Sequence, residues 1–385
     1  MTAVSWLEDL VADGQVSYGI VQPGAHQNDG VPIVRAGDVR EGRIDTSRPL
    51  RVAPEVSARH DRTVLVGGEL LFTLVGSVGE TALVPKSLAG WNVARAVAVL
   101  RPIGVDARWL HYALNSQPAR RQINSLLNTT VQPTLNLADL KRLTLPASSL
   151  QEQQAIAEVL GALDDKIAAN TALISQLDAI MHLTFRGLAK ASAAPLSTTA
   201  EFVNGKAFTK GASGSGRVVV RIAELNGGIS GSTVYSDAIV DDKHVARPGD
   251  ILFAWSGSLT LHRWFRGEAI VNQHIFKVIP REGFPTWLVY ELLRHKLADF
   301  KAIAADKATT MGHIQRHHLD EVVAVPVASE VQRVDALMNG LWARALGAER
   351  ESLTLAETRD ALLPQLMSGK LRVRDAERIA VDAGL

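Results

Sequence analysis

Residues 150–180 read LQEQQAIAEVLGALDDKIAANTALISQLDAI, and their apolar positions decide how the chain is built. Ile156, Leu160, Leu163, Ile167, Asn170, Ile174, Leu177 and Met181 follow one another at alternating steps of four and three. That spacing is the a/d seam of a heptad repeat, which puts them all on one stripe of a helix. Asn170 is its polar member, a residue type that fixes register in such a seam at some cost in stability. A single seam is equally compatible with a plain amphipathic core helix. A second one shifts the balance, because Val334, Met338, Leu341, Ala345, Ala348, Ser352, Leu355 and Leu362 keep the same phase. Ala and Ser thin its middle and would admit a close neighbour. The simplest arrangement pairs the two helices with each other, antiparallel.

Outward from the seams, the chain is written twice. Residues 65–77 read LVGGELLFTLVGS and residues 246–258 read ARPGDILFAWSGS. Gly68, Leu71, Phe72, Gly76 and Ser77 fall on Gly249, Leu252, Phe253, Gly257 and Ser258. At nearly the same offset Asn92 pairs with Asn272 and Thr129-Thr130 with Thr309-Thr310. Each copy then enters a Pro-ended apolar strand, closing at Pro146 and at Pro326, before its seam begins. Solenoid repeats have periods of about 20–50 residues, so a repeat this long is a duplicated domain-plus-helix unit. From Ile156 to Met181 the helix would run about 38 Å at 1.5 Å per residue. One turn of B-DNA measures about 34–36 Å, so paired helices of this length would hold two halves apart by a DNA-sized distance.

Within each copy, short apolar runs alternate with Gly and Pro turns. VPIVRAGDV (31–39), TVLVGGELLFTLVG (63–76) and ARAVAVLRP (94–102) read as strands of the first half. Trp109, Leu110, Ala113, Leu114, Ile123 and Leu126 predict one helix over about 107–127. The second half repeats the order with VVVRIAEL, GDILFAWSGS and VNQHIFKVIP, then a helix over about 285–303. Trp109 and Trp287 occupy the same place in the two copies. With Phe72 and Phe253, they read as core residues. The expected fold class is α+β: two similar mixed α/β halves separated by two long antiparallel coiled-coil helices, with pseudo-two-fold symmetry. The expected segments are 1–148, 149–190, 191–327, 328–373 and a tail at 374–385.

Composition narrows the function classes. At 385 residues the chain is long enough for two or three cores, and 46% hydrophobic with 21% charged content is ordinary for a globular protein. There is no cysteine, which excludes disulfides and thiolate metal sites and fits a reducing, cytoplasmic setting. The first residues, MTAVSWLEDLVADG, carry neither a basic region nor a continuous apolar core, so no signal peptide is expected. The net charge of +1 announces no nucleic acid by itself. Enzymatic motifs are missing: no GxxxxGK[ST], HExxH or GxSxG string occurs. His313, His317 and His318 have helix-compatible spacing, but no carboxylate motif accompanies them. They read better as part of a polar turn than as a metal site, and no metal is expected.

These features together resemble the specificity (S) subunit of type I restriction–modification systems. The strings that carry the resemblance are residues 150–180, ILFAWSGSL (251–259), VNQHIFKV (271–278), TTMGHIQRHHL (309–319), RDALLPQLMSGKLRV (359–373) and YGIVQPG (18–24). It covers nearly the whole chain, and the order and spacing of the strings are more specific than any one of them. The resemblance implies a non-catalytic subunit with two target-recognition domains, 1–148 and 191–327, each reading half of an asymmetric, bipartite double-stranded DNA site. It implies helices that dock two copies of an adenine-N6 methyltransferase subunit, with a motor-endonuclease subunit as a further partner. It places S-adenosylmethionine, ATP and magnesium in those partners, with no cofactor in this chain. One departure stands out: Val331 occupies the place of Gln153 in the second seam, so equal docking on both helices does not follow.

DNA affinity comes from Arg and Lys on phosphates, and discrimination from side chains that reach base edges. The candidates are polar residues in the turns of both copies. In the first half these are Arg35, Arg40, Arg43, Ser77, Arg95, Thr129, Thr130 and Gln132. In the second they are Arg221, Asn226, Ser256, Ser258, His262, Arg263, Gln273, His274, Thr309, Thr310, His313 and Arg316. A turn cap or solvated charge is the competing account of any one of them, and about half are expected to be that. Asn92 and Asn272 read as holding strand ends. Two other classes of function compete: a non-catalytic coiled-coil scaffold whose halves bind proteins, and a hydrolase or nuclease using Asp241-Asp242 or Asp164-Asp165.

Overall fold

The computed structural model describes residues 4–12, 16–128, 132–306 and 312–385. The chain divides into two compact units, Met1–Lys166 with Leu355–Leu385, and Ile167–Thr354. Two long helices, Leu150–Gly187 and Ala328–Met367, run through both. Among the described residues no helix is long and apolar enough to cross a membrane.

The first unit is built on an antiparallel sheet ordered Ser17–Tyr18, Val97–Leu100, Leu70–Thr73, Thr81–Leu83. Every residue of the two central strands is buried, which is why both read as unbroken apolar runs rather than alternating ones. A second sheet runs Leu50–Val52, Val31–Val34, Asn92–Val93, with Val31–Val34 and Asn92–Val93 parallel. Val4–Trp6 pairs with Thr144–Pro146 just before the first long helix begins.

The second unit repeats this plan. Its antiparallel sheet is ordered Ala200–Asn204, Ile275–Pro280, Ile251–Ala254, Thr260–Arg263. Its other sheet runs Tyr235–Ser236, Arg217–Val220, Ala269–Val271, Val245–Ala246, again with one parallel pair. Lys190–Pro195 pairs with Val322–Pro326. Trp109 and Trp287 are 1% and 0% exposed, and Phe72 and Phe253 are equally enclosed, so all four are core.

The internal register corrects one expected equivalence. Val34 lies opposite Val93 and Val220 opposite Val271, while Ile20 bridges Ala94 and Lys206 bridges Asn272. The counterpart of Asn272 is therefore Ala94, not Asn92. Asn92 is a buried clamp that accepts from Thr63 Oγ1 (2.7 Å) and donates to Ser57 Oγ and the His60 carbonyl (both 3.1 Å).

The helix expected over 107–127 is two helices, Ala107–Asn115 and Gln117–Ser125. Ser116 between them is extended, and Pro118 sits in the first turn of the second, where its missing N–H costs nothing. The matching region of the second unit has no proline and forms one helix, Thr286–Asp306. Most of the residues read as a tail form a further helix, Val373–Asp382.

Ile156, Leu160, Leu163, Asn170, Leu177 and Met181 are buried on the first long helix, and Val334, Met338 and Leu355 on the second. Ile167, Ile174 and Leu341 are half-buried. In the second unit Asn170 donates to Glu351 across the pair (2.8 Å), while Met181 and Met338 share one apolar core, so the helices run antiparallel. Ala345 and Ala348 are fully enclosed, as expected of small residues facing a neighbouring helix.

Polar clamps tie each helix pair to its own globular part. In the first unit Asp164 accepts from Tyr112 (2.5 Å) and from Arg359 (2.6 Å), and Arg108 forks onto Asp165. In the second, Arg263 donates to Glu349 at 2.9 and 3.0 Å and lies 3.4 Å from Asp178. Trp287 donates its indole N–H to Asp335 (2.8 Å).

Candidate nucleic-acid interface

In each unit one tight turn joins the two sheets. In the first it spans residues 94–97, closed by the Val97 N–H donating to the Ala94 carbonyl (2.9 Å). In the second it spans 272–275, closed by Ile275 donating to Asn272 (3.2 Å). The neighbouring segments are stitched to these turns by matching backbone bonds. Leu74 donates to the Ala96 carbonyl (2.8 Å) and Trp255 to the His274 carbonyl (3.2 Å). Gly76 donates to Pro133 (3.0 Å) and Gly257 to Gly312 (2.8 Å). Val75 bridges Thr134, and Ser256 bridges His313. The approach is close enough that a Cβ on Gly19 would fall inside the Val93 carbonyl, and one on Gly205 inside that of Asn272.

This scaffold gathers Ser77, Arg95 and Gln132 in the first unit, all exposed. In the second it gathers Ser256, Ser258, Gln273, His274 and His313. The matched positions differ in chemistry: Tyr18 against Asn204, Leu74 against Trp255, Arg95 against Gln273, Ala96 against His274 and Thr134 against His313. Trp255 forms the second unit's centre, with ring centroids 5.5 Å from His274, 5.9 Å from Phe276 and 6.5 Å from His313. Its indole N–H donates to Asn204 Oδ1 (2.8 Å). His313 therefore lies in a bridge away from the short helix Arg316–Asp320, and the helical spacing with His317 is not realised. His318 accepts the Gln315 N–H at that helix's start (2.9 Å).

Other candidates lie apart from this turn or are engaged within the protein. Arg35 forks onto Asp38 (2.9 and 2.8 Å), and Arg221 onto Glu224 (3.0 and 2.5 Å), each carboxylate also accepting its arginine's own backbone N–H. These hydrogen bonds raise the pKa of both guanidinium groups. The two arginines are the same local cap in two copies, with their forks turned inward. Arg263 is a plainer correction: at 4% exposed and held between two carboxylates, it has no face for a phosphate. His262 is half-buried, its Nε2 is 3.3 Å from Asn226 Oδ1, and burial lowers its pKa.

Arg40 and Arg43 stand exposed and opposite each other on a hairpin, Val39–Arg40 with Arg43–Ile44, lining a shallow concavity. Arg316 is exposed and lines another with Arg281, His317 and Thr198. Thr129, Thr130, Thr309 and Thr310 lie outside the described residues.

Residues 24–179 match the family model of the type I restriction modification DNA specificity domain. The type I restriction enzyme EcoBI specificity subunit of Escherichia coli is 30% identical over 141 residues, 36% of this chain and 30% of that one. The crystal structure of a type I restriction–modification S subunit from M. genitalium superposes with a TM-score of 0.58 at 16% identity, covering 95% of this chain and 96% of that one. Over residues 24–179 the chain is similar to the type I restriction modification DNA specificity domain, and its fold is similar to that of an S subunit. In sequence it spans less than a third of the length of the curated relatives it matches, whereas the fold likeness runs nearly end to end.

Asn204, Tyr18 and Trp255 lie beside the same turns and were not among the sequence candidates. A tryptophan directly before Ser-Gly-Ser, where the first copy has Leu74, was the available signal. The Arg-x-x-Asp and Arg-x-x-Glu strings that follow the strands ending at Val34 and Val220 were the signal for the inward forks.

Proposed function

We propose that the chain is the DNA-reading subunit of a type I restriction–modification complex, each unit contacting one half of a bipartite, asymmetric duplex site. The observation that carries this is the pair of matched turns: one backbone scaffold, built twice, presenting different polar side chains at equivalent positions. A rigid frame with a variable tip suits direct readout, in which phosphate contacts set position and side chains on base edges set sequence. The likeness of residues 24–179 to the type I DNA specificity domain supports the same reading. The paired helices are then the docking surface for adenine-N6 methyltransferase subunits, two per chain, with a motor-endonuclease as a further partner. S-adenosylmethionine, ATP and magnesium are assigned to those partners, and this chain supplies no catalytic group.

Methylome sequencing of the host with and without the gene tests this directly. Loss of one bipartite N6-methyladenine motif on deletion is the expected outcome. An unchanged methylome, together with duplex binding indifferent to the sequence of either half, would overturn the proposal.

A further inference from the structure

We infer that Arg95 and Gln273 are the equivalent base-reading positions of the two units, Arg95 selecting guanine in one half-site and Gln273 selecting adenine in the other. The inference rests on the DNA-reading function proposed above and names the residues that would write its specificity.

Three observations single these two out. First, the turns are equivalent by hydrogen bonding, because Val97 closes on Ala94 and Ile275 on Asn272, with Arg95 and Gln273 the first central residue of each. Second, the backbone beneath each is held on several sides. In the first unit Ala94 donates to Val34 (2.9 Å), Arg95 to Ile20 (2.8 Å) and Leu74 to Ala96 (2.8 Å). In the second, Asn272 donates to Val220 (3.1 Å) and Trp255 to His274 (3.2 Å). Third, both side chains are exposed. Among the described residues the Arg95 guanidinium meets no hydrogen-bond or ion-pair partner, whereas Arg35, Arg221 and Arg263 are spent on carboxylates. Gln273 Nε2 lies 3.1 Å from His274 Nε2, which leaves its carbonyl oxygen and one N–H available.

A long side chain on a fixed turn loses little backbone entropy on binding and can present its end group in a defined direction. The end groups then decide the base. A guanidinium matches the two acceptors of guanine, O6 and N7, and donates to both. A carboxamide matches adenine, accepting from N6 and donating to N7. Exchanging one residue for the other should exchange the preferred base at one position only.

The test is methylome sequencing of host strains carrying Arg95→Gln, Arg95→Lys or Gln273→Arg in the full chain. Arg95→Gln is expected to cut the preference for guanine at one position of one half-site by about ten- to a hundredfold and to favour adenine there. Gln273→Arg should do the converse in the other half-site. Arg95→Lys keeps the charge without the fork and should relax that same position. Methylation that falls at all sites with no change of base would make Arg95 a phosphate contact and overturn the inference. An unchanged motif in all three strains would overturn it too, while leaving the proposed function standing. A wild-type strain whose methylome does not depend on the chain would instead remove the function on which the inference rests.

Discussion

Arg263 ties both long helices of the second unit to the strand Thr260–Arg263. Its guanidinium lies 4.6 Å over the Trp342 ring and joins carboxylates from both long helices, Asp178 and Glu349. Burial pushes the Glu349 carboxyl upward in pKa while the arginine pulls it back. Arg263→Met leaves two partly buried carboxylates facing each other, and removing one partner of such a network typically costs about 3–5 kcal/mol. Urea unfolding should show that loss as a lowered midpoint. His111 makes a pH-dependent contribution in the first unit, where Thr81 Oγ1 is 2.8 Å from its Nδ1 and burial pushes its pKa down to about 4. The unfolded imidazole titrates near about 6.5. Above that value both states are neutral and the contribution is complete. As pH falls from about 6.5 to about 4, the unfolded chain binds a proton that the folded one refuses, so stability declines by up to roughly 3 kcal/mol and then levels. His111→Gln should flatten that part of the pH profile of unfolding. At this scale the sequence was least legible. Arg-x-x-Asp and Arg-x-x-Glu mark the forks of Arg35 and Arg221, but nothing near Arg263 in the sequence marks its partners Asp178 and Glu349, 85 and 86 residues away.

At the scale of elements, the heptad steps and the apolar runs were readable because helix and strand periods are local. Both long helices and the central strands follow them. Register was not, because hydrogen-bonding partners are set by loop lengths that differ between copies. Asn92 and Asn272 therefore hold similar places in sequence although one is a buried clamp and the other closes a turn. The helix break at Pro118 was legible in principle, since Ser-Gln-Pro has its counterpart nowhere in the single helix Thr286–Asp306. Gly205 and Gly19 show how tightly the turns are held. Gly205→Ala must push the Asn272 carbonyl away, and the turn carrying Gln273 goes with it. The expected result is relaxed specificity in the second half-site with the first intact, read by selection from randomised duplexes. Gly19→Ala should give the mirror result.

At the scale of the molecule, duplication was legible and its closure was not. The repeat suggests two consecutive domains, yet the first compact unit is drawn from both ends of the chain, Met1–Lys166 and Leu355–Leu385, and the second is the continuous stretch between. Within the first unit Arg359 anchors Asp164, and Leu355, Leu362 and Leu366 are buried. Truncation after Thr354 should therefore expose the first unit to protease and spare the second, a result limited proteolysis with mass mapping can read. The same arrangement sets an order in time. On the ribosome residues 1–166 must wait for residues 355–385, about ten to forty seconds later at roughly 5–20 residues per second. The second unit, Ile167–Thr354, is one continuous stretch and is complete once Thr354 has been added. The half encoded first is thus the half completed last, and in that interval the helix face that will bury Leu355, Leu362 and Leu366 stays uncovered.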